Sequence, residues 1–459
     1  MKLRTLSAAV ATALLSSITQ VHAAGFQLAE YSSTGLGRAY AGEAAMADNA
    51  SAQGRNPALL AQLQGRHVSA GAIYVNPNVD VPGNISIASP VLGNKPIALH
   101  ASAMDVADSA VVPNFYYSAQ LDGNWTWGIA LNANYGMATE IDAKHSAALF
   151  GQKTSIKTVE FNPNLAYRLN DVLSFGFGAR IVHSDAEINA SMPGWINGIK
   201  STLTNSPSSV HKVIAARLPS AGTSLKHMKG DDIGFGWKVG LNWKVSKDHN
   251  IGLAYHSGVD LKLAGEVDGL LYTKGQPVKF EGYLPLELPA FAEIASFHQL
   301  TDKLAIHASV NWTQWSSFKE LRAFFPHQAK PKNAIGKPIS EELLKHENFK
   351  NNMRYALGTS YQLTQDLLLR AGIALDKTAV GDEFRTTTIP DSDRLWFSTG
   401  AAYTLNKSLT VDFGLTYIKA RGDAPITESM PLNGLATVTF TGNAEGDVWL
   451  AGAQLNYKF

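Results

Sequence analysis

Alternating hydrophobicity in the last fifty residues constrains the fold of this chain more than any other feature. From 409 to 417 every second residue is large and apolar, and the residues between are small or polar. The same period returns from 449 to the terminal Phe459. Such a strand suits a wall with lipid outside and a wet or ligand-filled lumen inside, although a soluble β-sandwich shows the same stripe. Repetition and cellular location must therefore decide between the two.

Similar stripes recur along the chain. From 233 to 245 the odd-numbered residues are apolar, and tryptophan lies near the end of the stripe, as is typical at a lipid interface. Further stripes occur at 125–131, 173–181, 251–255, 304–312 and 367–375. Together they predict about fourteen membrane-spanning strands.

The connections between the stripes alternate between tight and long. The tight ones are rich in turn residues and lie at 122–123, 170–171, 246–250, 301–302, 364–366 and 406–407. The long ones cover roughly 77–111, 142–153, 191–230, 265–277, 326–348, 379–392 and 424–433. Outer-membrane barrels have short periplasmic turns and long outer loops, so both chain ends are expected in the periplasm. The predicted fold class is all-β, a transmembrane antiparallel β-barrel of about fourteen strands.

The amino-terminal residues predict export. Lys2 and Arg4 precede an apolar stretch from 6 to 15, and Val21-His22-Ala23 offers a cleavage site, so residues 1–23 are expected to be a secretory signal peptide. Loss of these two cations and no acid would change the formal net charge from +1 to −1, which gives no basic field for nucleic acid. The expected location is the outer membrane of a Gram-negative bacterium, with its lipid as one partner. The terminal Phe459 is expected to engage the outer-membrane assembly machinery.

Two absences narrow the class of membrane protein. After residue 23 no uninterrupted apolar run reaches the ~18 residues that a membrane helix needs. Cysteine is absent from all 459 residues, which excludes disulfides and thiolate metal sites. No metal or other cofactor is expected. A closed barrel needs neither, because each strand is paired on both sides.

Residues 24–65 precede the first convincing strand and lack its period. They are rich in alanine and glycine and carry scattered charges. A periplasmic tail, an extra domain or a plug inside the lumen would each fit, and the composition favours a plug of short helices, because small residues suit close packing. The expected domains are therefore a hatch at 24–65 and a barrel with long outer loops at 66–459. A plugged barrel is not a simple diffusion pore.

Several short motifs in order along the chain resemble the FadL family of outer-membrane long-chain fatty acid transporters. They are 25–30 (GFQLAE), 33–43 (STGLGRAYAGE), 56–58 (NPA), 134–140 (NYGMATE), 234–237 (GFGW), 345–347 (KHE) and 389–394 (IPDSDR). Within the family the chain resembles the Haemophilus-type major outer-membrane members. The resemblance implies a fourteen-stranded barrel with an amino-terminal hatch, which agrees with the count of stripes.

The resemblance also implies passive uptake of hydrophobic molecules. The ligand would be caught among the outer loops, pass to a pocket in the lumen, and leave sideways through a gap at a kinked third strand. This route makes physical sense, because a long acyl chain gains ~0.8 kcal/mol for every CH₂ kept out of water. The implied ligands are long-chain fatty acids or other hydrophobic small molecules.

The same resemblance assigns gating residues. Gly136 matches the kink position, where the alternative is an ordinary strand glycine or bulge. Asn56, Pro57 and Ala58 match a hatch motif, although Asn as a cap and Pro at the first helical position would also simply start a short helix. Phe26, and with it Asn56, is expected to contact the ligand; plain packing inside the plug is the alternative for Phe26.

A carboxylate ligand requires a cation in the pocket. Lys345 aligns with a family lysine in that role, and Arg394, Lys419 and Arg421 are further candidates; each could instead be an ordinary solvated charge. The sequence departs from the family at Asn189 or Ala190, where a ligand-facing arginine can occur. Apolar residues in the long loop 191–230 could form the outer capture groove or could pack against one another.

Three alternatives remain open. An enzyme is not expected, because the chain has no G-x-S-x-G or H-E-x-x-H motif and no compact carboxylate cluster for a metal, although a barrel enzyme can assemble its site from distant strands. A surface adhesin or receptor would use the long loops. Uptake of aromatic hydrocarbons, as in some family members, would need no carboxylate partner.

Overall fold

A closed antiparallel β-barrel confirms the predicted fold class. The computed structural model describes residues 25–90, 95–332, 336–432 and 436–459, so the expected signal peptide at 1–23 lies outside the described residues. Within that part of the chain, no helix is long and apolar enough to cross a membrane. The barrel has fourteen strands, as the stripes predicted.

The barrel strands follow one another around the wall, and five of them consist of two segments. In chain order they are β1 (Arg66–Asp80), β2 (Ala110–Gln120), β3 (Trp125–Asn132 and Gly136–Glu140), β4 (Lys153–Arg168), β5 (Leu173–Ser191), β6 (Ser224–Lys244), β7 (His249–His256 and Val259–Asp268), β8 (Phe280–Leu288 and Phe291–Gln299), β9 (Leu304–Thr313 and Glu320–Phe324), β10 (Glu341–His346 and Asn352–Gln362), β11 (Leu367–Asp376), β12 (Asp393–Asn406), β13 (Leu409–Arg421) and β14 (Glu445–Lys458). The barrel closes where β1 pairs antiparallel with β14, with Ala70 opposite Leu455.

The two faces of the wall follow the alternation in the sequence. On β6, Phe235 points outward and is 71% exposed, whereas Lys238 points inward and is fully buried. Outward aromatic rings pair across strands near the outer rim, as Tyr417 and Trp449 do with ring centroids 4.8 Å apart. Such rings are typical of the lipid interface, so this belt marks the outer boundary of the membrane.

The long connections build a second layer above the barrel. Four loop strands form their own antiparallel sheet in the order Pro425–Leu432, Ala436–Asn443, Gly83–Ala88 and Ile97–His100. The helices α2 (Ile196–Thr204) and α3 (Ser209–Arg217) belong to the longest loop, and α4 (Leu270–Thr273) to another. Buried side chains of this sheet, such as Phe440, form one apolar cluster with Ile196 of α2.

Residues 25–64, called here the hatch segment, lie inside the barrel. They form α1 (Ser33–Leu36) and three short 3₁₀ turns at Glu43–Ala45, Ala50–Gly54 and Pro57–Gln62. The 3₁₀ turn at Pro57–Gln62 packs against β4, β5 and β6, whereas α1 packs against β12, β13 and β14. The hatch segment therefore touches opposite sides of the wall.

Ion pairs and close backbone contacts hold the hatch segment in place. Within it, Arg38 contacts Glu43 at 2.5 Å and Asp48 at 2.7 Å. Arg55 reaches the wall and contacts Glu293 of β8 at 2.8 Å. Removal of Arg55 would leave the buried carboxylate of Glu293 without its cationic partner, and breaking a buried ion pair in this way costs ~3–5 kcal/mol.

Candidate functional site

The wall has a lateral gap beside β3. The first segment of this strand, Trp125–Asn132, pairs with β2, whereas the second, Gly136–Glu140, pairs only with β4 among the described residues. Residues 110–114 of β2 pair with β1 and, within the same part of the chain, have no strand partner on their other side. The gap opens next to Gly136, the residue predicted at the kink.

The start of the hatch segment fills this interruption. The amide of Gly136 donates to the carbonyl of Phe26 at 2.8 Å, and the amide of Leu28 donates to the carbonyl of Asn134 at 2.8 Å. These backbone groups would otherwise lack the strand partner that β2 cannot supply, and buried backbone groups need partners. The first residues of the hatch segment therefore take the place of a neighbouring strand at the gap.

A buried polar network fixes the shape of the interruption. The side-chain amide of Asn134 donates to Glu160 Oε2 at 2.8 Å, and Glu160 in turn pairs with Arg180 of β5 at 2.8 Å on each oxygen. The hydroxyl of Tyr135 donates to the carbonyl of Pro289 at 2.6 Å. Glu160 and Arg180 are fully buried, which has a desolvation cost. The bidentate geometry of the pair and the further donors to the carboxylate offset this cost.

Directly inside the gap lies a large apolar cluster, called here the luminal cluster. Its members are Phe26, Tyr135, Met137, Ile156, Val182, Val259, Leu261, Leu263, Leu286, Leu288, Trp315, Phe318, Phe349, Ala379, Val380 and Ile389. Phe26 lies among its aromatic rings, with centroid distances of 4.6 Å to Trp315 and 5.5 Å to Phe318. The residue that fills the gap is thus also a member of the luminal cluster.

Lys345 lies at the outer edge of the luminal cluster. It faces Leu321 across the β9–β10 pair, and Leu321 packs against the cluster. The Lys345 ammonium donates to the hydroxyl of Thr386 and, at 3.4 Å, to that of Thr388. These two threonines belong to the connection between β11 and β12. Of the predicted cations, Lys345 is the one that the structure brings next to the apolar residues of the cluster.

Glu347 is the second charged residue at this edge. It is fully buried, and its carboxylate lies 3.7 Å from the ammonium of Lys345. Burial raises the pKa of Glu347 to about 7, and the nearby charge of Lys345 only partly offsets this effect. Glu347 lies on the outer side of Tyr355, an outward aromatic residue of the same strand, and so above the membrane-spanning part of β10.

The other predicted cations lie elsewhere. Arg394 is buried and pairs with Asp391, whose other oxygen accepts from the amide of Gly25 at 3.1 Å. Lys419 and Arg421 are exposed and share the outward face of β13. They were predicted as candidate cations of the pocket, but the structure places them outside the lumen. The alternation of β13 explains this result, because both are odd-numbered like the outward residues of that strand.

The 56–58 motif lies away from the luminal cluster. The Asn56 side chain accepts from the amide of Ala58 at 2.9 Å and donates to the carbonyl of Ala44 at 2.6 Å and that of Leu241 at 3.1 Å. Pro57 is the first residue of the 3₁₀ turn that Asn56 caps. The side chain of Asn56 is thus committed to contacts within the protein, in the cap geometry that its sequence context predicted as the alternative to a gating role.

A cleft opens between the outer ends of β5 to β9. Its apolar lining includes Ala186, Met228, Leu263, Leu284 and Phe325, and its charged members are Glu187, Lys229 and Glu266. Leu263 belongs to the luminal cluster as well, so the two sites adjoin. For the loop 191–230 both a capture groove and packing among the loop residues were open, and its Met192 and Ile196 pack into the apolar cluster of the loops.

Several residues of the site were not predicted from the sequence. Trp315, Phe318 and Phe349 lie in connections beside strand segments, where no alternation marks them as inward-facing. The Glu160–Arg180 pair joins neighbouring strands, and inward polar residues are too common in a barrel to single it out. Glu347 was part of a matched motif, but only its burial indicates a special environment.

Comparisons with known proteins agree with this architecture. The profile of the family described as "Outer membrane protein transport protein (OMPP1/FadL/TodX)" matches residues 13–459. A long-chain fatty acid transport protein of Escherichia coli O6:H1 is 36% identical over 98% of this chain and 97% of its own. Outer membrane protein P1 of Haemophilus influenzae is 37% identical over 98% of both chains. The crystal structure of a Pseudomonas aeruginosa FadL homologue has a TM-score of 0.79 at 22% identity, covering 95% of this chain and 100% of that one. The chain therefore belongs to the OMPP1/FadL/TodX family and is an outer-membrane transporter of hydrophobic compounds, not an enzyme.

Proposed function

We propose that the chain carries long-chain fatty acids passively across the outer membrane. The ligand enters the cleft at the outer ends of β5 to β9, moves into the luminal cluster, and leaves sideways through the gap beside β3. In this scheme residues 24–65 act as the hatch and residues 66–459 as the barrel with its capture loops. Assembly into the membrane would use the exported chain, with its terminal Phe459 recognised by the assembly machinery.

One observation carries the choice of substrate. The luminal cluster consists of apolar and aromatic side chains, and Lys345 is the predicted cation that borders it, at the end nearer the outside. An acyl chain with a terminal carboxylate matches this arrangement, because its tail needs the cluster and its head group needs the ammonium. The printed name of the Escherichia coli relative supports the same substrate class.

The lateral exit is supported by the position of the hatch segment. Phe26 belongs to the luminal cluster and also hydrogen-bonds to Gly136 at the gap. A ligand that enters the cluster must displace rings around Phe26, and this displacement would withdraw the strand partner that fills the gap. The acyl chain would then pass from the cluster to membrane lipid without crossing water, which would cost ~0.8 kcal/mol per CH₂.

The test measures binding of a fluorescent long-chain fatty acid to the refolded protein, with Lys345→Ala run in parallel. Loss of a charge-assisted hydrogen bond worth ~1.5–3 kcal/mol should weaken binding about ten- to a hundredfold. Arg421→Ala is the matched control, because Arg421 lies exposed on the outward face of β13 and should leave binding unchanged.

An aromatic hydrocarbon competitor distinguishes the alternatives. Displacement of the fatty acid by the hydrocarbon, with no effect of Lys345→Ala, would favour hydrocarbon uptake and contradict the proposed head-group site. Absence of saturable binding of either ligand would contradict the transport proposal in this form and favour an adhesin or receptor role for the outer loops.

A further inference from the structure

Glu347 is a buried charged group to which the proposed route assigns no role. Neither of its carboxylate oxygens accepts a hydrogen bond from any group in the described part of the chain. A buried carboxylate that supports the fold is normally satisfied by several donors, because burial of an unpaired charge is costly. Its backbone amide donates to the carbonyl of Lys319 at 2.8 Å, so the side chain, and not the backbone, lacks hydrogen-bond partners among the described residues.

The position of Glu347 relates it to the head-group site. It stands two residues after Lys345 and two residues before Phe349, whose ring packs against Phe318 in the luminal cluster at a centroid distance of 5.0 Å. Its carboxylate is 3.7 Å from the Lys345 ammonium, which is too long for a strong hydrogen bond but close enough to neutralise much of the charge. A carboxylate is therefore already present beside the cation that the ligand's carboxylate would use.

We propose that Glu347 is an internal competitor for the head-group site, so that an anionic ligand binds Lys345 only when Glu347 takes up a proton. This inference rests on the proposed function. It makes Glu347 a specificity-determining residue: neutral hydrophobic compounds enter whatever its charge, whereas each bound anion requires one proton on Glu347. No bond is made or broken apart from this protonation.

The charges around Glu347 are consistent with this exchange. Lys345 on its own strand favours the ionised form, whereas Glu428 on the loop strand Pro425–Leu432 opposes it. Glu428 accepts hydrogen bonds from the amide of Thr387 at 3.2 Å and from its hydroxyl at 3.1 Å, next to the threonines that hold Lys345. When an anionic ligand binds, its head group would join Glu347 and Glu428 as a third negative charge near Lys345. Repulsion among the three favours protonation of Glu347. Burial raises the pKa of Glu347 to about 7, so this proton is available near neutral pH.

The experiment measures the dissociation constant of a long-chain alkyl sulfonate between pH 6 and 9, because its head group stays charged throughout. The wild-type protein should bind it about tenfold more weakly for each pH unit above about 7, since one proton is taken up per ligand. In Glu347→Gln, which keeps the shape of the side chain, this dependence should disappear and binding at high pH should match that of the wild type at low pH.

Two controls accompany this experiment. His346→Gln should retain the wild-type pH dependence, because this exposed residue points away and lies 4.0 Å from Glu320. A long-chain alcohol should bind equally at every pH and in both proteins.

Binding of the sulfonate that is independent of pH, or a dependence that persists in Glu347→Gln, would overturn the inference while leaving the proposed function intact. Failure of fatty acid, sulfonate and alcohol alike to bind would overturn the proposed function and the inference with it.

Discussion

At the scale of single residues, buried polar groups determine the shape of the gap. Asn134 connects the interruption in β3 to the Glu160–Arg180 pair through one hydrogen bond of 2.8 Å. The pair joins β4 to β5, which are regular strands, so this bond anchors the interrupted part of β3 to them. The gap is therefore a built feature of the wall and not a region of poor pairing.

Removal of this bond should loosen the interruption. Asn134→Ala leaves an acceptor of the buried Glu160 carboxylate without its donor, which should lower the free energy of unfolding by ~1–3 kcal/mol. Urea unfolding of the protein in lipid vesicles measures the change. Asn124→Ala, in an exposed periplasmic turn, is the control. Equal unfolding free energies for the two variants would show that Asn134 does not support the gap.

Some residue placements could be predicted from the sequence and others could not. Alternation along β13 already assigns Lys419 and Arg421 to the face of Tyr417, so their outward position follows from parity alone. The place of Lys345 beside Thr386 depends on how two loops fold over the lumen, and no local period carries that information. Pairing between distant strands is fixed by the closed barrel, which a motif cannot show.

At the scale of elements, the hatch segment is fitted to the wall through glycine. The backbone of Ala44 crosses β7 at Gly252, where an added Cβ would lie 1.7 Å from the Ala44 carbonyl oxygen. No side chain fits there without moving one of the two backbones. The composition of the segment predicted close packing of this kind, but the partner glycine in the wall had no distinguishing feature in the sequence.

Gly252→Ala should therefore displace the hatch segment. Displacement of a plug opens the lumen, so conductance of the protein in a planar lipid bilayer should rise above the wild-type value. Gly123→Ala is the matched control, because an added Cβ at Gly123 has no heavy atom within 4 Å. A folded Gly252→Ala protein with wild-type conductance would contradict the close packing of the hatch segment against β7 at this position.

The sequence predicted that the strands exist, but it did not predict where they are interrupted. The stripes and the alternation of tight and long connections predicted an antiparallel barrel of about fourteen strands, because side chains of a wall strand face lipid and lumen in turn. Interruptions such as that after Asn132 depend on tertiary partners, since the first hatch residues supply the missing hydrogen bonds. The sheet formed by the loops was missed for a similar reason: its strands come from connections far apart in the chain.

At the scale of the whole molecule, the barrel, the hatch segment and the luminal cluster are in direct contact with one another. The cluster joins the outer cleft to the gap, and the hatch segment occupies the gap through Phe26 and Leu28. In the proposed route the hydrophobic ligand leaves through this gap when the first hatch residues move aside. A covalent link between the hatch segment and the interruption tests it directly.

Gln27 and Tyr135 suit such a link. They lie opposite each other in an isolated antiparallel bridge, where Cα atoms are typically ~4.5–5.5 Å apart, within the range that a disulfide spans. The chain contains no cysteine, so Gln27→Cys with Tyr135→Cys would create one defined pair. The two single variants report the cost of each substitution alone, and the reduced double variant provides the unlinked state of the same protein.

The measurement is uptake of a labelled long-chain fatty acid by cells that carry the double variant, before and after reduction. The lateral route predicts uptake at the level of cells without the protein while the disulfide is intact, and recovery to the level of the single variants after reduction. Equal uptake in the oxidised and reduced states would contradict exit through the gap beside β3.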